Sequence, residues 1–149
     1  MFAALSDIRF QQHDGFAFDM RPSPLEGGGL WAFNVNDGSL AWHAPAIPCG
    51  ERPQCSPAQS AAVSAIPGVV FSGSVSGVLR AYDANTGKII HEIDTAQPYQ
   101  TVNGVAGRGG ALDVAGPVIV SGRLYMTSGY GLMGGYPGNV LLVQSVDGR

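Results

Sequence analysis

Lysine occurs once in this sequence, at Lys88, and charged residues of both signs make up only 13% of it, about half the share of an ordinary soluble domain. With a net charge of −3 and its arginines scattered, the chain has no cationic stripe on which a phosphate backbone could lie. Nucleic-acid binding is therefore disfavoured. Long apolar runs are missing as well: none approaches the ~20 residues that a membrane-spanning helix needs. The opening "MFAALSDIRF" has neither a basic leader nor an apolar stretch of sufficient length, so no signal peptide is visible. Metal-ligand patterns are also lacking. His13, His43 and His91 have no ligating spacing among themselves, and Cys49 and Cys55 are followed by no second Cys/His pair. What the chain has in quantity is glycine and proline, 22 and 10 in 149 residues. That composition suits many short strands and tight turns better than helices.

One stretch is written twice. "GLWAFNVNDGSLAWHA" begins at Gly29, and "GVLRAYDANTGKIIHEID", from Gly77, repeats it at an offset of 49. Leu30 falls on Leu79, Ala32 on Ala81, Phe33 on Tyr82, Asn34 on Asp83, Gly38 on Gly87 and Trp42 on His91. Each copy is a β-prone run, a turn ending in Gly and a second β-prone run, which is a hairpin pattern. A second correspondence lays "VVFSGS" (69–74) on "LYMTSG" (124–129), an offset of 55. Together they predict four consecutive strands at about 59–64, 68–73, 77–83 and 88–93. "SPAQSAAV" could instead open a helix, with Ser56 as its cap and Pro57 at the first helical position. The repeat register argues against that.

A period of about 50 residues with four antiparallel strands is the pattern of β-propeller blades. Continuous apolar runs such as Val69-Val70-Phe71 and Val140-Leu141-Leu142-Val143 fit strands covered on both faces. The expected fold is all-β, a partial propeller with one complete blade and a partial blade on each side. Blade parts span 1–48 and 117–149, the whole blade spans 49–94, and a long axial loop spans 95–116. Propellers close with ~4–8 blades. The chain thus reads as part of a larger ring, completed by remaining blades or by other copies of itself. A small closed sandwich is the competing architecture.

The residues "AYDANTGK", with an aromatic at the place of Trp42, resemble the repeat of pyrroloquinoline-quinone (PQQ) propellers. "CSPAQSAAVSAIPGVVFSGSVSGVLRAYD", "TVNGVAGRGGALDVAGP" and "GGYPGNVLLVQSVDG" are similar to the C-terminal blades of polyvinyl-alcohol-dehydrogenase-like quinoproteins. That resemblance implies a periplasmic or extracellular enzyme that oxidises an alcohol to a carbonyl compound. Its electrons would pass to PQQ, with calcium alongside, and then to a cytochrome. It also implies that Trp42 packs between blades, with His91 standing in for that Trp one blade later.

Site residues are expected in the loop 95–116, which enters an innermost strand and should face the axis. By resemblance, Arg108 offers a planar, permanently charged fork to the quinone oxygens or to a carboxylate of PQQ. Asp113 is the candidate catalytic base or a metal ligand, and Asn103 would orient either. Gly109 and Gly110, with Gly104 and Gly107, would let the backbone approach a ligand. The plainer reading pairs Arg108 with Asp113 to hold the loop. Calcium ligands cannot be assigned.

Cys49 and Cys55 are either a disulfide clipping a Pro-rich loop or two free thiols. Many quinoprotein alcohol dehydrogenases stack PQQ on a disulfide between adjacent cysteines. This pair is not adjacent, and a structural clip is the better reading. Gln59 could reach the axis, but is expected as a buried polar residue bonded to backbone; Trp31 is expected as inter-blade packing rather than a stacking platform for the cofactor. "GYGLMGGYPG" (129–138) lacks the lysine and helix of a phosphate loop, and its Tyr130 and Tyr136 are candidates for the rim of a polymer-binding surface. The leading functional reading is a segment of a PQQ-dependent alcohol dehydrogenase, inactive on its own. The alternative is a catalytically silent propeller segment that serves as a scaffold or binding module.

Overall fold

The computed structural model describes residues 1–12, 20–131 and 134–145. His13 and the closing residues 146–149 lie outside that set. All regular elements among the described residues are strands. They are β1 (Phe2–Leu5), β2 (Phe10–Gln12), β3 (Met20–Pro22), β4 (Gly29–Phe33), β5 (Leu40–Ala44), β6 (Ser64–Ile66) and β7 (Val69–Gly73). After these come β8 (Val78–Asp83), β9 (Ile89–Asp94), β10 (Pro98–Gln100), β11 (Ala106–Arg108), β12 (Val118–Val120), β13 (Arg123–Ser128) and β14 (Val140–Ser145). β6-β7-β8-β9 form one complete four-stranded antiparallel blade. β1-β4-β5 form a three-stranded sheet before it and β12-β13-β14 another after it.

The 49-residue repeat holds down to single ladder pairs. Leu30 lies opposite Ala44 as Leu79 lies opposite Ile93, and Ala32 opposite Trp42 as Ala81 opposite His91. Both ladders slip at the same place, between Ala32 and Phe33 and between Ala81 and Tyr82. The turns match too. Gly38 and Gly87 have φ of 72° and 71°, the left-handed region that a side chain resists. Each donates its N–H to the carbonyl four residues back, on Asn34 and Asp83, at 2.9 Å. The Asp83 carboxylate accepts from the N–H groups of Asn85 and Thr86 and from the Thr86 hydroxyl. These bonds, the Thr86 hydroxyl first, hold its pKa below the usual carboxylate value.

Three expectations need correction. The second correspondence has an offset of 54, not 55: Ile66 pairs with Val69 around Gly68 as Val120 pairs with Arg123 around Gly122. Val70 is therefore the counterpart of Leu124. A one-residue slip would have put the third blade's buried side chains on the wrong face. The innermost strand of the complete blade is Ser64–Ile66, so residues 59–63 are not strand. As the repeat register argued, Ser56 caps no helix; its Oγ accepts the Ala58 N–H in a local turn. Lastly, the loop 95–116 contains a hairpin of its own, β10–β11, and a second unforeseen hairpin, β2–β3, is inserted between β1 and β4.

The core consists of two slabs between blades. Leu30, Ala32, Trp42 and Ala44 of the first blade pack on Val70 and Tyr82 of the second. On the other side Leu79 meets Leu124, Met126, Val140 and Leu142 of the third. Alternate residues of β8 thus serve opposite slabs, which a single sandwich core would not require. Each Leu, Val or Met side chain so buried is worth about 1.5–3 kcal/mol. Trp42 lies where the resemblance placed it. Its ring rests against the Gly87 turn of the next blade, and its indole N–H donates to the Ala84 carbonyl at 3.0 Å. His91, at the equivalent ladder position, is exposed. Whether it packs on a following blade concerns residues after β14, which lie outside the described set.

Candidate functional site

The loops that enter the innermost strands and those joining the second and third strands meet at one end of the stack. Ile8, Ala58, Val75 and Ala111, one from each of four such segments, form a small apolar cluster there. Backbone bonds tie the segments together: Val75 to Ala58, Leu112 to Ser74, Ala111 to Tyr136 and Gly129 to Ala111, at 2.7–3.1 Å. The mouth is thereby fixed by main chain, whatever the side chains present.

On this scaffold the guanidinium of Arg108 lies over the Tyr136 ring, 4.6 Å from its centroid. Among the described residues no carboxylate pairs with it, so its donor edge is available. The Arg108 backbone is pinned to Asn139, whose Oδ1 accepts its N–H (2.9 Å) and whose N–H donates back to its carbonyl (2.8 Å). Asp113, 8% exposed, accepts the Ser60 hydroxyl at 2.5 Å. Ser60 precedes the inner strand of the preceding blade, so this bond joins two blades at the mouth. Gly131 packs close to the Asp113 carboxylate and to Ala111.

Asn103 is at the tip of the β10–β11 hairpin, where its Oδ1 accepts from the Thr101 hydroxyl and the Val105 N–H. It shapes that turn and is exposed. Gly109 and Gly110 are needed for close approach, and what approaches is protein. A Cβ on Gly109 would lie 1.8 Å from the Thr95 carbonyl, and one on Gly110 would lie 2.1 Å from that of Tyr136. Ser128 completes the junction: its Oγ accepts the Gly110 N–H at 2.8 Å and lies 2.7 Å from Thr95 Oγ1. Tyr136 as a platform, Ser60, Ser128 and Asn139 were not singled out in these roles from the sequence. Each acts across a loop-to-loop contact that leaves no local pattern.

Cys49 and Cys55 form a disulfide, with Cα atoms 6.1 Å apart. It clips the loop that carries Arg52, whose guanidinium reaches the Ser76 carbonyl and the Asp94 carboxylate. The clip borders a cleft of about 250 Å³ lined by Gln11, Gln12, Arg21, Arg52 and Gln54. Gln59 is buried, and its partners are side chains: Nε2 donates to the Tyr82 hydroxyl (3.1 Å) and Oε1 accepts from Ser72 (2.8 Å). Burial pushes the Tyr82 pKa up, with Arg80 nearby opposing. Trp31 lies on the face of the first blade turned away from the second, its ring stacked on His43.

A four-stranded antiparallel blade stacked face to face between two three-stranded ones, with loops converging at one end, defines a β-propeller segment. The family model PQQ_2, described as outer membrane protein assembly factor BamB, matches residues 16–144. The chain belongs to this PQQ-type propeller-repeat family. It is 44% identical over 133 residues to a polyvinylalcohol dehydrogenase of Pseudomonas sp, and 38% identical over 163 aligned positions to one of Sphingopyxis sp. (strain 113P3). Those alignments take in 81% and 100% of this chain and 21% and 23% of the relatives, so the chain spans less than a quarter of their length. The crystal structure of BamB from Moraxella catarrhalis matches with a TM-score of 0.55 at 17% identity, covering 87% of this chain and 34% of that one. That last likeness bears on the fold alone.

Proposed function

We propose that these blades are a section of a PQQ-dependent alcohol dehydrogenase of the polyvinyl-alcohol type, and that the loop 95–116 contributes to its cofactor mouth. The identity to two proteins named polyvinylalcohol dehydrogenase carries this reading. The parent would be periplasmic or extracellular, in keeping with the disulfide, and would pass electrons to a cytochrome.

The donor set suits part of PQQ. The Arg108 guanidinium, backed by Tyr136 and free of a carboxylate partner among the described residues, suits a carboxylate or quinone oxygen. When bound, PQQ supplies the two-electron acceptor. Asp113 is the residue here able to take the proton of a substrate hydroxyl, with Ser60 and the neighbouring loops fixing its orientation. Calcium is not provided for: no cluster of three or more His, Cys, Asp or Glu among the described residues could hold a metal. Its ligands would belong to further blades, and this chain alone is expected to bind PQQ without turning over alcohol. Tyr130 and Tyr136 would rim the surface that meets a polymeric alcohol. Asn103 is assigned a turn-shaping role and Gly109 and Gly110 a packing role at the mouth.

The test is titration of the purified chain with PQQ, followed by fluorescence, alongside Arg108→Ala and Arg108→Lys. Weaker binding by both variants, the alanine most, is expected. Unchanged binding would remove Arg108 from the mouth, and no binding by the parent chain would favour the silent-scaffold reading. Dye reduction with polyvinyl alcohol, PQQ and Ca²⁺ should stay at background.

A further inference from the structure

The end of the stack that forms the mouth has a second concavity, which the quinone chemistry does not use. The segment joining the second and third strands of the first blade, 6–28, contains the β2–β3 hairpin. The segment joining the first blade to the second, 45–63, contains the disulfide loop. Both reach the mouth end, where Ile8 of one and Ala58 of the other pack together. Between them lies the cleft of about 250 Å³ that the disulfide borders. Its lining residues all fall between Gln11 and Cys55, so its walls are these two loops and not either outer face of the stack.

Three of the lining side chains are glutamines, Gln11, Gln12 and Gln54, and all three are exposed. Gln11 donates to the Ser23 hydroxyl at 3.1 Å. The side-chain amides of Gln12 and Gln54 have no hydrogen-bond partner among the described residues. A carboxamide combines donors and an acceptor, which suits a hydroxyl, itself both. Pro22, Pro24 and Cys55 supply the apolar part of the lining. The two arginines are engaged: Arg52 pairs with Asp94 and donates to the Ser76 carbonyl, and Arg21 has an interaction of its own. Open amides over proline and sulfur match an uncharged chain that alternates hydroxyls with methylenes.

Gln54 points the same way. It holds φ at 50°, in the left-handed region that glycine enters freely and other residues resist. Glycine would make this turn without that cost, yet the position carries a side chain, and that side chain lines the cleft. The volume also fits. At about 250 Å³ the cleft falls short of the ~300–1,000 Å³ pockets that enclose compact ligands. With exposed side chains at its rim, it suits a length of extended chain lying across it.

We propose that this cleft is an accessory subsite for a polymeric alcohol, holding a stretch of the chain away from the unit being oxidised. The Gln12 and Gln54 amides exchange hydrogen bonds with hydroxyls, and the methylenes lie on the prolines and the disulfide. The inference rests on the polyvinyl-alcohol part of the proposed function and adds to it: a polymer held here and at the mouth gains from two contacts on one tether.

The experiment is calorimetric titration of the whole chain with fully hydrolysed polyvinyl alcohol, compared with polyethylene glycol, which has acceptors but no donors along its length, and with polyacrylate, which is charged. The natural chain should bind polyvinyl alcohol and bind the other two more weakly. Gln12→Ala combined with Gln54→Gly should weaken that binding about tenfold, through loss of two hydrogen-bonding amides. Gln54→Gly alone should also weaken it while leaving the urea midpoint equal or higher, since glycine relieves the left-handed residue. A merely structural Gln54 would show the stability change with no loss of binding. No binding of polyvinyl alcohol, equal binding by the variants, or a preference for polyacrylate would each overturn the subsite. PQQ titration of the same variants keeps the two readings apart: loss of polymer affinity supports the cleft whether or not PQQ binds, and a failure of PQQ to bind counts against the mouth alone.

Discussion

Replacing Gly87 with alanine probes the contact that locks the first blade onto the second. Alanine at a φ near 71° costs about 1–2 kcal/mol for the left-handed backbone alone. The equivalent Gly38 has the same φ within a degree, and a Cβ added there meets nothing within 4 Å. Gly38→Ala therefore measures the backbone cost by itself. At Gly87 the new methyl would lie 2.5 Å from Cε3 of Trp42 and 2.7 Å from its Cδ2. The ring cannot simply retreat, because its N–H is held by the Ala84 carbonyl and its edge by Phe2, 5.8 Å away between centroids. Overpacking of this kind adds about 1–3 kcal/mol. Gly87→Ala should thus cost about 2–5 kcal/mol in total, against about 1–2 kcal/mol for Gly38→Ala. Urea unfolding followed by tryptophan fluorescence measures both. In a Trp42→Leu background the difference between the two substitutions should disappear. Equal costs in the natural chain, or a difference that survives Trp42→Leu, would refute the packing of Trp42 on this turn.

Reducing the Cys49–Cys55 bond, which closes a span of six residues, should lower stability by about 2 kcal/mol, read as a lower urea midpoint with dithiothreitol; an unchanged midpoint would mean the clip constrains nothing in the unfolded chain. Burial raises the Tyr82 pKa above its ordinary value, so the folded state favours the neutral phenol. That contribution is fully present below pH ~10 and is lost as pH rises through the raised folded value. Against Tyr82→Phe, the natural chain should lose stability faster above pH ~10, and parallel profiles would contradict the burial. Ser60→Ala removes one charge-assisted hydrogen bond to the buried Asp113 carboxylate and should cost about 1–3 kcal/mol, measured by thermal unfolding; a change near zero would mean that this bond does not help to join the two blades at the mouth.

The mouth illustrates how a propeller separates stability from chemistry. Its loops are fixed by main-chain bonds and by glycines too close to neighbouring carbonyls to bear side chains. Arg108 projects from that frame without having to build it, whereas Asp113 is buried and bonded to Ser60 of the preceding blade. Substituting Arg108 should leave the slabs between blades intact, while Gly109 and Gly110 admit no side chain without moving the backbone.

The sequence by itself determined the blade. A hairpin written twice at 49 residues gave the strand order and the left-handed glycines, because each depends on residues a few positions apart, while the bulge shared by both ladders appeared only in the structure. It determined too that Trp42 ends its repeat and that Arg108 and Asp113 share a long loop. Tertiary structure alone decided the rest. Residue likeness favoured an offset of 55, because one of 54 lays Val69 on Arg123 and Ser72 on Met126; only the ladder around Gly68 and Gly122 fixed the face. Likeness could not bring Tyr136 under Arg108 or Ser60 to Asp113, contacts made between loops 28 and 53 residues apart. Nor could it tell that Trp31 and Leu141 stand on opposite outer faces of the stack. Local pattern encodes pairing within a blade, while the meeting of loops and faces depends on how the blades pack.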